Sequence, residues 1–304
     1  MRFLKNMLKT LIVIGVLVVG IYAVYRYVLP DAWTRQLEET LSLAKNEIGL
    51  YEDSGITGEE YTFDTTYYPY YGYLSDDAKS LYKQIYANVL KHETSFVPVV
   101  EITVSEVINV INAVYHDHPE LFWMESGYTY KYTEENVCVH VNLNFNETID
   151  DIENATNKFE QKANEIIDVA SGLLNDYEKE KYVYHALIDS VEYDEAAKLH
   201  QSPYSALVYG KSVCAGYARA YQYIMLRLGI PTYYCTGETE GHAWNIVKLD
   251  NGYYNVDVSR ADVKNSPERY FNRTDEELRE THKRSGYSTL LPRCRAKTYS
   301  EMEE

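Results

Sequence analysis

The sequence predicts an α+β protein, and three observations lead to that class. Helical and strand patterns alternate from residue 75 onward, without an internal repeat. A helix begins near Cys214 and carries an apolar stripe at offsets of three and four residues. Two alternating runs follow, the first after Gly241 and the second ending at Asp257, joined at Asp250-Asn251-Gly252. We therefore expect a helix packed on an antiparallel sheet, preceded by an α+β lead-in region.

The charge of the chain narrows the classes of partner. The chain has 304 residues, is 45% hydrophobic and carries a net charge of −17. Its first thirty residues hold four basic residues and no acid, so the remainder, with 25 basic and 46 acidic residues, has a net charge of −21. A body this acidic argues against nucleic acid or an anionic membrane surface as its partner.

The N-terminus predicts a membrane anchor in residues 1–30. Leu11–Tyr25 holds no charge, and the apolar run reaches Leu29 if Arg26 extends to the interface. Nineteen helical residues span about 28 Å, close to the hydrocarbon core of a bilayer. The preceding basic residues predict a cytoplasmic N-terminus and an extracytoplasmic body. The alternative is a signal peptide cleaved at Ala23; the anchor is preferred because no small-residue pair marks a cleavage site.

The middle of the chain divides into three predicted segments. Residues 31–74 form a stalk and a tyrosine-rich linker, which we expect to lie on the body; its tyrosines would alternatively bind sugar rings. Residues 75–176 form the lead-in domain and 177–304 the domain that carries the hairpin. Periodicity predicts helices at 33–50, 75–91, 105–115, 148–174 and 177–191, and strands at 97–102, 127–132 and 137–145.

His116, Asp117, His118 and Glu120 form a polar cluster around Pro119 that has metal-ligand residue types. A solvated turn explains them as well, and no further ligand cluster lies nearby in the sequence. We therefore expect no metal and no cofactor.

Cys214 has the surroundings of a nucleophile. Ser212 is placed to cap the following helix, which puts Cys214 in its first turn. Free N–H groups and the helix dipole there favour a thiolate and can stabilise an oxyanion. A second oxyanion donor is not evident, and Tyr193 and Tyr204 are candidates. A lone cysteine in this position is more often a buried structural residue, so its neighbours decide the interpretation.

His242 and Asp257 are those neighbours. A histidine near Cys214 can accept its proton, and a carboxylate on the other ring nitrogen supports the imidazolium. If the hairpin turns tightly at Asn251-Gly252, Asp257 is offset from His242 by about four residues, on the order of 13 Å. A bulge or a wider loop must then bring the two together. Otherwise Asp262 is the better-placed carboxylate.

Three motif blocks resemble the transglutaminase-like superfamily of papain-related cysteine enzymes. They are Gly210–Ala218, reading Gly-x-x-Val-Cys-x-Gly-Tyr-Ala, His242–Asn245, reading His-Ala-Trp-Asn, and Val256-Asp257. The resemblance covers roughly residues 178–300, including a tail that contains His282. It implies a papain/transglutaminase-like core with Cys214 as nucleophile, His242 as base and Asp257 as orienting acid. It further implies Trp244 and Tyr217 as substrate-binding residues.

Two functions follow from this resemblance. The first is an exported, membrane-anchored thiol acyl-transfer enzyme that acts on peptide or protein amides at the cell envelope, as a peptidase, deamidase or transglutaminase. The second is an inactive envelope binding module that keeps the fold. Family members often have an aromatic residue after the acid, whereas this chain has Arg260 there, which supports the second. Of the remaining cysteines, Cys138 is expected in a buried strand, and a Cys235–Cys294 disulfide stays open because spacing does not fix connectivity.

Overall fold

The computed structural model describes residues 55–146, 151–238, 241–250 and 252–301. The predicted anchor at 1–30, the helix at 33–50 and most of the predicted stalk lie outside these ranges. Within them, no helix is both long enough and apolar enough to cross a bilayer. The membrane anchor therefore stays a prediction.

Eight helices and eight strands of the described residues are labelled in chain order. The helices are α1 (Pro69–Gly72), α2 (Asp76–Leu90), α3 (Val104–Asp117), α4 (Ile152–Ser171), α5 (Asp176–Ser190), α6 (Cys214–Arg227), α7 (Val258–Lys264) and α8 (Thr298–Glu301). The strands are β1 (Ser95–Phe96), β2 (Met124–Tyr132), β3 (Cys138–Phe145), β4 (Glu192–Tyr193), β5 (Lys211–Ser212), β6 (Thr232–Thr236), β7 (Ala243–Leu249) and β8 (Gly252–Val256). The predicted α+β class is confirmed.

The strands form three sheets in the described part of the chain. One is antiparallel with the order β1-β3-β2, and a second is the short parallel pair β4-β5. The third is antiparallel with the order β6-β7-β8, and α6 packs on β6 and β7. This helix-on-sheet pair is the core that the sequence predicts, although β6 was not among the predicted strands.

Most predicted elements of the lead-in region are confirmed, but the strand predicted at 97–102 is wrong. Pairing with β3 stops after Phe96. Pro98 has no N–H to donate to a ladder. The side chain of Gln84 instead bonds to the backbone on either side of this proline, donating to the Val97 carbonyl and accepting from the Val99 N–H. α3 likewise begins earlier than predicted, because Thr103 and Glu106 form a capping box.

One hydrophobic cluster runs through the described body, from Tyr70 to Cys294, so the predicted lead-in and the hairpin region share a core. The tyrosine-rich segment takes part in it. Tyr70 is 1% exposed, and its hydroxyl lies 2.6 Å from the Tyr234 carbonyl. Part of this segment is therefore built into the body. The domain boundary near residue 176 stays a prediction.

Candidate active site

Cys214 is the first residue of α6, as the sequence predicts, but Ser212 does not cap the helix. The N-cap is Val213, which has no capping side chain, and the Ser212 hydroxyl donates instead to the His200 carbonyl at 2.6 Å. The Cys214 side chain is partly buried, and it packs against Tyr234 and the alanines 215, 218 and 243. The thiol therefore lies at the positive end of the helix dipole, where a negative charge is stabilised.

His242 is held directly before β7. Gly241 adopts a left-handed φ of +62°, which turns the chain into the strand. The ring of His242 is 7% exposed, and its Nε2 donates to Oδ2 of Asp257 at 2.5 Å. The side chain also hydrogen-bonds Cys214. Because Nε2 is engaged by the carboxylate, Nδ1 is the nitrogen left for the thiol.

Asp257 divides its two oxygens between two tasks. It is the N-cap of α7, and its Oδ1 accepts from the Arg260 N–H and the Ser259 hydroxyl, each at 2.9 Å. Its Oδ2 accepts from His242 and, at 2.9 Å, from Nε2 of His282. The carboxylate is 1% exposed, so these partners fix its orientation.

The expected gap of about four residues between His242 and Asp257 is wrong. Leu249 pairs with Gly252, so the chain turns between these two residues and not one position later. The ladder runs without a bulge from this turn to the pair Asn245–Val256. Extended by the same register, it sets Asp257 only about two residues from the level of His242. Asp262, the alternative acid, instead accepts a hydrogen bond from Tyr217 at 2.6 Å.

The structure thus brings Cys214, His242 and Asp257 into one hydrogen-bonded row. Residues 161–258 match the family model of the transglutaminase-like superfamily, and this segment contains all three residues. Residues 161–258 are therefore similar to the transglutaminase-like superfamily.

Two of the solved structures that resemble the chain have a TM-score of 0.30 each. One is a TGase that is 15% identical, with 54% of this chain covering 50% of that one. The other is a proposed cysteine protease from Cytophaga hutchinsonii that is 13% identical, with 44% of this chain covering 62% of that one. The chain therefore spans less than two thirds of either protein. No curated protein matches the chain.

The charges in this transglutaminase-like site are coupled. Burial by itself lowers the pKa of His242, but the negative charge and hydrogen bond of Asp257, together with the contact to Cys214, raise it to about 9. Burial raises the pKa of Asp257, yet the two histidines hold it well below its usual range. At neutral pH the pair therefore favours an imidazolium beside the Asp257 carboxylate.

His282 is a site residue that local sequence patterns do not reveal. It lies 25 positions after Asp257, in the C-terminal tail that resembles the transglutaminase-like superfamily, and no local motif surrounds it. Burial lowers its pKa, which keeps the ring neutral. Its Nδ1 lies 2.8 Å from the Thr281 hydroxyl, so the ring can accept there while Nε2 donates to Asp257.

The two candidates for a second oxyanion donor lie in different places. The hydroxyl of Tyr193 accepts from the Cys214 N–H, and its side chain is 37% exposed, so it borders the site. Tyr204 is 5% exposed, and its ring stacks on Phe122 in the core. The structure therefore places only Tyr193 beside the thiol.

Trp244 and Tyr217, which the resemblance implies in substrate binding, are both buried. The Trp244 ring lies 6.0 Å from the His242 ring and 4.8 Å from the His282 ring, and its N–H donates to Asn255 at 3.0 Å. Tyr217 is 0% exposed, and its hydroxyl also lies 2.6 Å from the Val191 carbonyl. In this structure both side chains support neighbouring groups, and direct substrate contact stays a prediction.

Two groups have metal-ligand residue types. His242, Asp257 and His282 offer atoms within 4.8 Å of one another, but the two contacts at 2.5 and 2.9 Å are hydrogen-bond distances. In the turn at residues 116–120, His118 bonds to Glu120 at 2.6 Å and to the Tyr82 hydroxyl at 2.8 Å. His242, Asp257, His282 and His118 are thus all engaged in hydrogen bonds.

The remaining cysteines differ from Cys214 in their surroundings. Cys138, Cys235 and Cys294 are buried, and all four cysteines are free, so the disulfide left open between Cys235 and Cys294 is not formed. Burial raises the pKa of the Cys138 thiol and raises that of Cys235 to about 12.

Proposed function

We propose that this chain is a thiol acyl-transfer enzyme that acts on peptide or protein amides with Cys214, His242 and Asp257. The single observation that carries the proposal is the hydrogen-bonded row of these side chains, delivered by the start of α6, the start of β7 and the N-cap of α7. Three separate elements bring a histidine and its carboxylate partner to one thiol, an arrangement that a structural cysteine does not require.

The chemistry follows from the positions of the groups. The Cys214 thiolate attacks the amide carbon, and the carbonyl oxygen gains negative charge near the first N–H groups of α6. The imidazolium of His242 gives its proton to the departing ammonia or amine, and a thioester forms. His242, now neutral, takes a proton from water or an amine, which attacks the thioester and releases the thiolate. Water yields hydrolysis or deamidation, and a lysine amine yields a crosslink.

We place this activity outside the cell, on a body anchored by residues 1–30. The charge-free run Leu11–Tyr25, the basic residues before it and the acidic body support that topology. Peptides or proteins of the cell envelope are then the substrates within reach, and the lipid bilayer is the partner of the N-terminal helix.

An inactive binding module is the second candidate, and Arg260 is the observation that favours it. Its Nε lies 3.8 Å from Oδ2 of Asp257, so a second cation shares the carboxylate that supports His242. Such sharing weakens the hold of Asp257 on the imidazolium.

The pH dependence of Cys214 alkylation by iodoacetamide separates the two candidates. In the enzyme, Cys214 reacts well below pH 8, because the imidazolium stabilises its thiolate, and His242→Ala removes this reactivity. Buried Cys138 and Cys235 serve as internal controls that stay slow in the folded protein. A Cys214 that titrates like those two, and that ignores the loss of His242, would favour the binding module.

A further inference from the structure

Arg219 of α6 is a buried cation that no acid neutralises among the described residues. Its side chain is 1% exposed. It donates to two backbone carbonyls, of Tyr115 at 2.8 Å and of His118 at 3.2 Å, and stacks 3.8 Å above the Tyr115 ring. Its Nε–H has no hydrogen-bond partner in the described part of the chain. A buried charge held only by neutral groups is costly, and a negatively charged ligand would offset that cost.

The same arginine lines a cavity of about 310 Å³. That volume is at the lower end of the range for small-ligand sites and suits one or two side chains of a peptide. Polar groups of His200 and Ser202 lie on one wall, and the ring of Tyr115 lies on another. The described lining residues include one acid, Glu125, which is exposed and accepts a hydrogen bond from Asn146 at 3.2 Å. The buried side of the cavity is therefore positive in an otherwise acidic protein.

Two sets of contacts connect the residues that line the cavity with the neighbours of Cys214. Gly216, two residues after Cys214, is so close to the loop that a Cβ there would lie 2.9 Å from the His200 carbonyl and 2.8 Å from that of Ser202. On the other side, Tyr234 packs in the same small cluster as Cys214, and its ring centroid lies 6.5 Å from that of Tyr115. Both walls of the cavity thus contact the immediate surroundings of the thiol.

We propose that this cavity binds a carboxylate of the peptide substrate through Arg219. Arg219 lies five positions after Cys214 on α6, which is a rise of about 7.5 Å along the axis and a turn of about 140° around it. An extended peptide rises about 3.3 Å per residue, so the carboxylate belongs about two to three residues from the attacked amide. It is either an Asp or Glu side chain or the C-terminal carboxylate of a short peptide. The inference rests on the proposed function for the position of the amide, but binding itself needs no catalysis.

Equilibrium binding to the full-length Cys214→Ala protein tests this inference. The probes are fluorescent hexapeptides with a central Gln and one Glu placed one, two or three residues to either side, each paired with a peptide that has Gln in place of Glu. Each pair is made with a free and with an amidated C-terminus, which separates the two sources of the carboxylate. We expect a preference of about tenfold to a hundredfold for the carboxylate at one position, as for hydrogen bonds to charged groups.

Three further variants locate the preference. Arg219→Gln should abolish it, whereas Arg227→Gln, which removes an exposed positive charge from the same helix, should retain it. Gln201→Glu adds a negative charge on an exposed lining residue and should weaken the preference severalfold without disturbing the core. This third variant keeps the assignment testable if Arg219→Gln does not fold.

Equal binding of the paired peptides at every position would overturn the inference, as would a preference that both Arg219→Gln and Gln201→Glu leave intact. The outcome is separable from that of the alkylation test. A reactive Cys214 without a carboxylate preference leaves the enzyme proposal standing alone, and a preference in a chain whose Cys214 is inert leaves a peptide-binding module.

Discussion

His242 and Asp257 each use one polar side-chain atom to fix the side chain and present the other to the next member of the row. Oδ1 of Asp257 accepts from the backbone of α7, which frees Oδ2 to face two histidines. His242 in turn donates from Nε2 to this carboxylate, which leaves Nδ1 for Cys214. The orientation of the imidazole is therefore fixed by a helix cap, and the charge at Oδ2 is decisive for its protonation.

Asp257→Asn should lower the pKa of His242 from its raised value of about 9. The carboxylate charge favours the protonated ring, so a neutral amide leaves burial, which lowers the pKa, as the dominant effect. If the imidazolium donates to the leaving group, the alkaline limb of the pH profile of kcat/KM moves down by about 1 to 2 pH units. The shift is measured from that profile or from the NMR titration of the ring.

Asp262→Asn is the matched control, because Asp262 bonds to Tyr217 and not to His242. It should leave the alkaline limb in place. An unchanged limb in Asp257→Asn, or an equal shift in both variants, would contradict the assignment of Asp257 as the supporting acid.

At the scale of single residues, the sequence predicted Cys214, His242 and Asp257 better than it predicted the residues that hydrogen-bond them. Cys214, His242 and Asp257 stand in local motifs, so they can be read from the chain. His282 donates to Asp257 from 25 residues away, and Tyr193 accepts from the Cys214 N–H across two elements. Such contacts depend on how distant segments pack, and the periodicity and residue spacing of the sequence do not predict that packing.

At the scale of elements, the existence of most helices and strands was predictable, but the register between strands was not. The stripe in α6 and the alternation in β7 and β8 are properties of each segment alone. The level of His242 relative to Asp257 depends instead on which two residues of Asp250-Asn251-Gly252 occupy the turn, and several choices fit the same composition. The displaced cap at Val213 has a similar cause, since Ser212 finds a partner in the distant loop at His200.

Gly216→Ala should destabilise the protein by about 1 to 3 kcal/mol, as overpacking does. The first turn of α6 contacts the loop at His200 and Ser202 so closely that the added methyl would lie 2.9 and 2.8 Å, respectively, from their carbonyl oxygens and would also meet Ser212. Backbone atoms cannot yield cheaply, so either the loop or the start of the helix must move. The free energy of unfolding in urea measures the cost.

Gly172→Ala serves as the comparison. A Cβ at this helix end would make an ordinary contact, 3.5 Å from the Val169 carbonyl, so its effect should stay within about 1 kcal/mol and can be stabilising. A Gly216→Ala protein as stable as this control would show that α6 and the cavity wall are not in tight contact.

At the scale of the whole molecule, the tyrosine-rich segment connects distant parts of the core. Asp117 at the end of α3 accepts from the backbone N–H of Tyr71 at 2.9 Å and from the Tyr82 hydroxyl at 3.0 Å. Tyr233 of β6 donates to the Thr66 carbonyl at 2.8 Å. The bonds of Thr66 and Tyr71 join this segment to both the lead-in region and the sheet that begins beside His242, so the segment belongs to the folded body that holds the site.

Tyr70→Phe should lower the free energy of unfolding by about 1 to 2 kcal/mol, because the buried hydroxyl bonds to two distant segments. It lies 2.6 Å from the Tyr234 carbonyl in β6 and 2.7 Å from the Ser288 hydroxyl near the C-terminus. Tyr73→Phe, in the same segment but 38% exposed, should change stability by no more than about 0.5 kcal/mol. Urea unfolding of the two variants decides the point.

Equal stability of the two variants would mean that the Tyr70 hydroxyl contributes nothing and that shape alone holds the segment. A larger loss of stability in Tyr70→Phe, accompanied by altered Cys214 alkylation, would show that the hydrogen bond of Tyr70 affects the thiol through Tyr234, which packs beside Cys214.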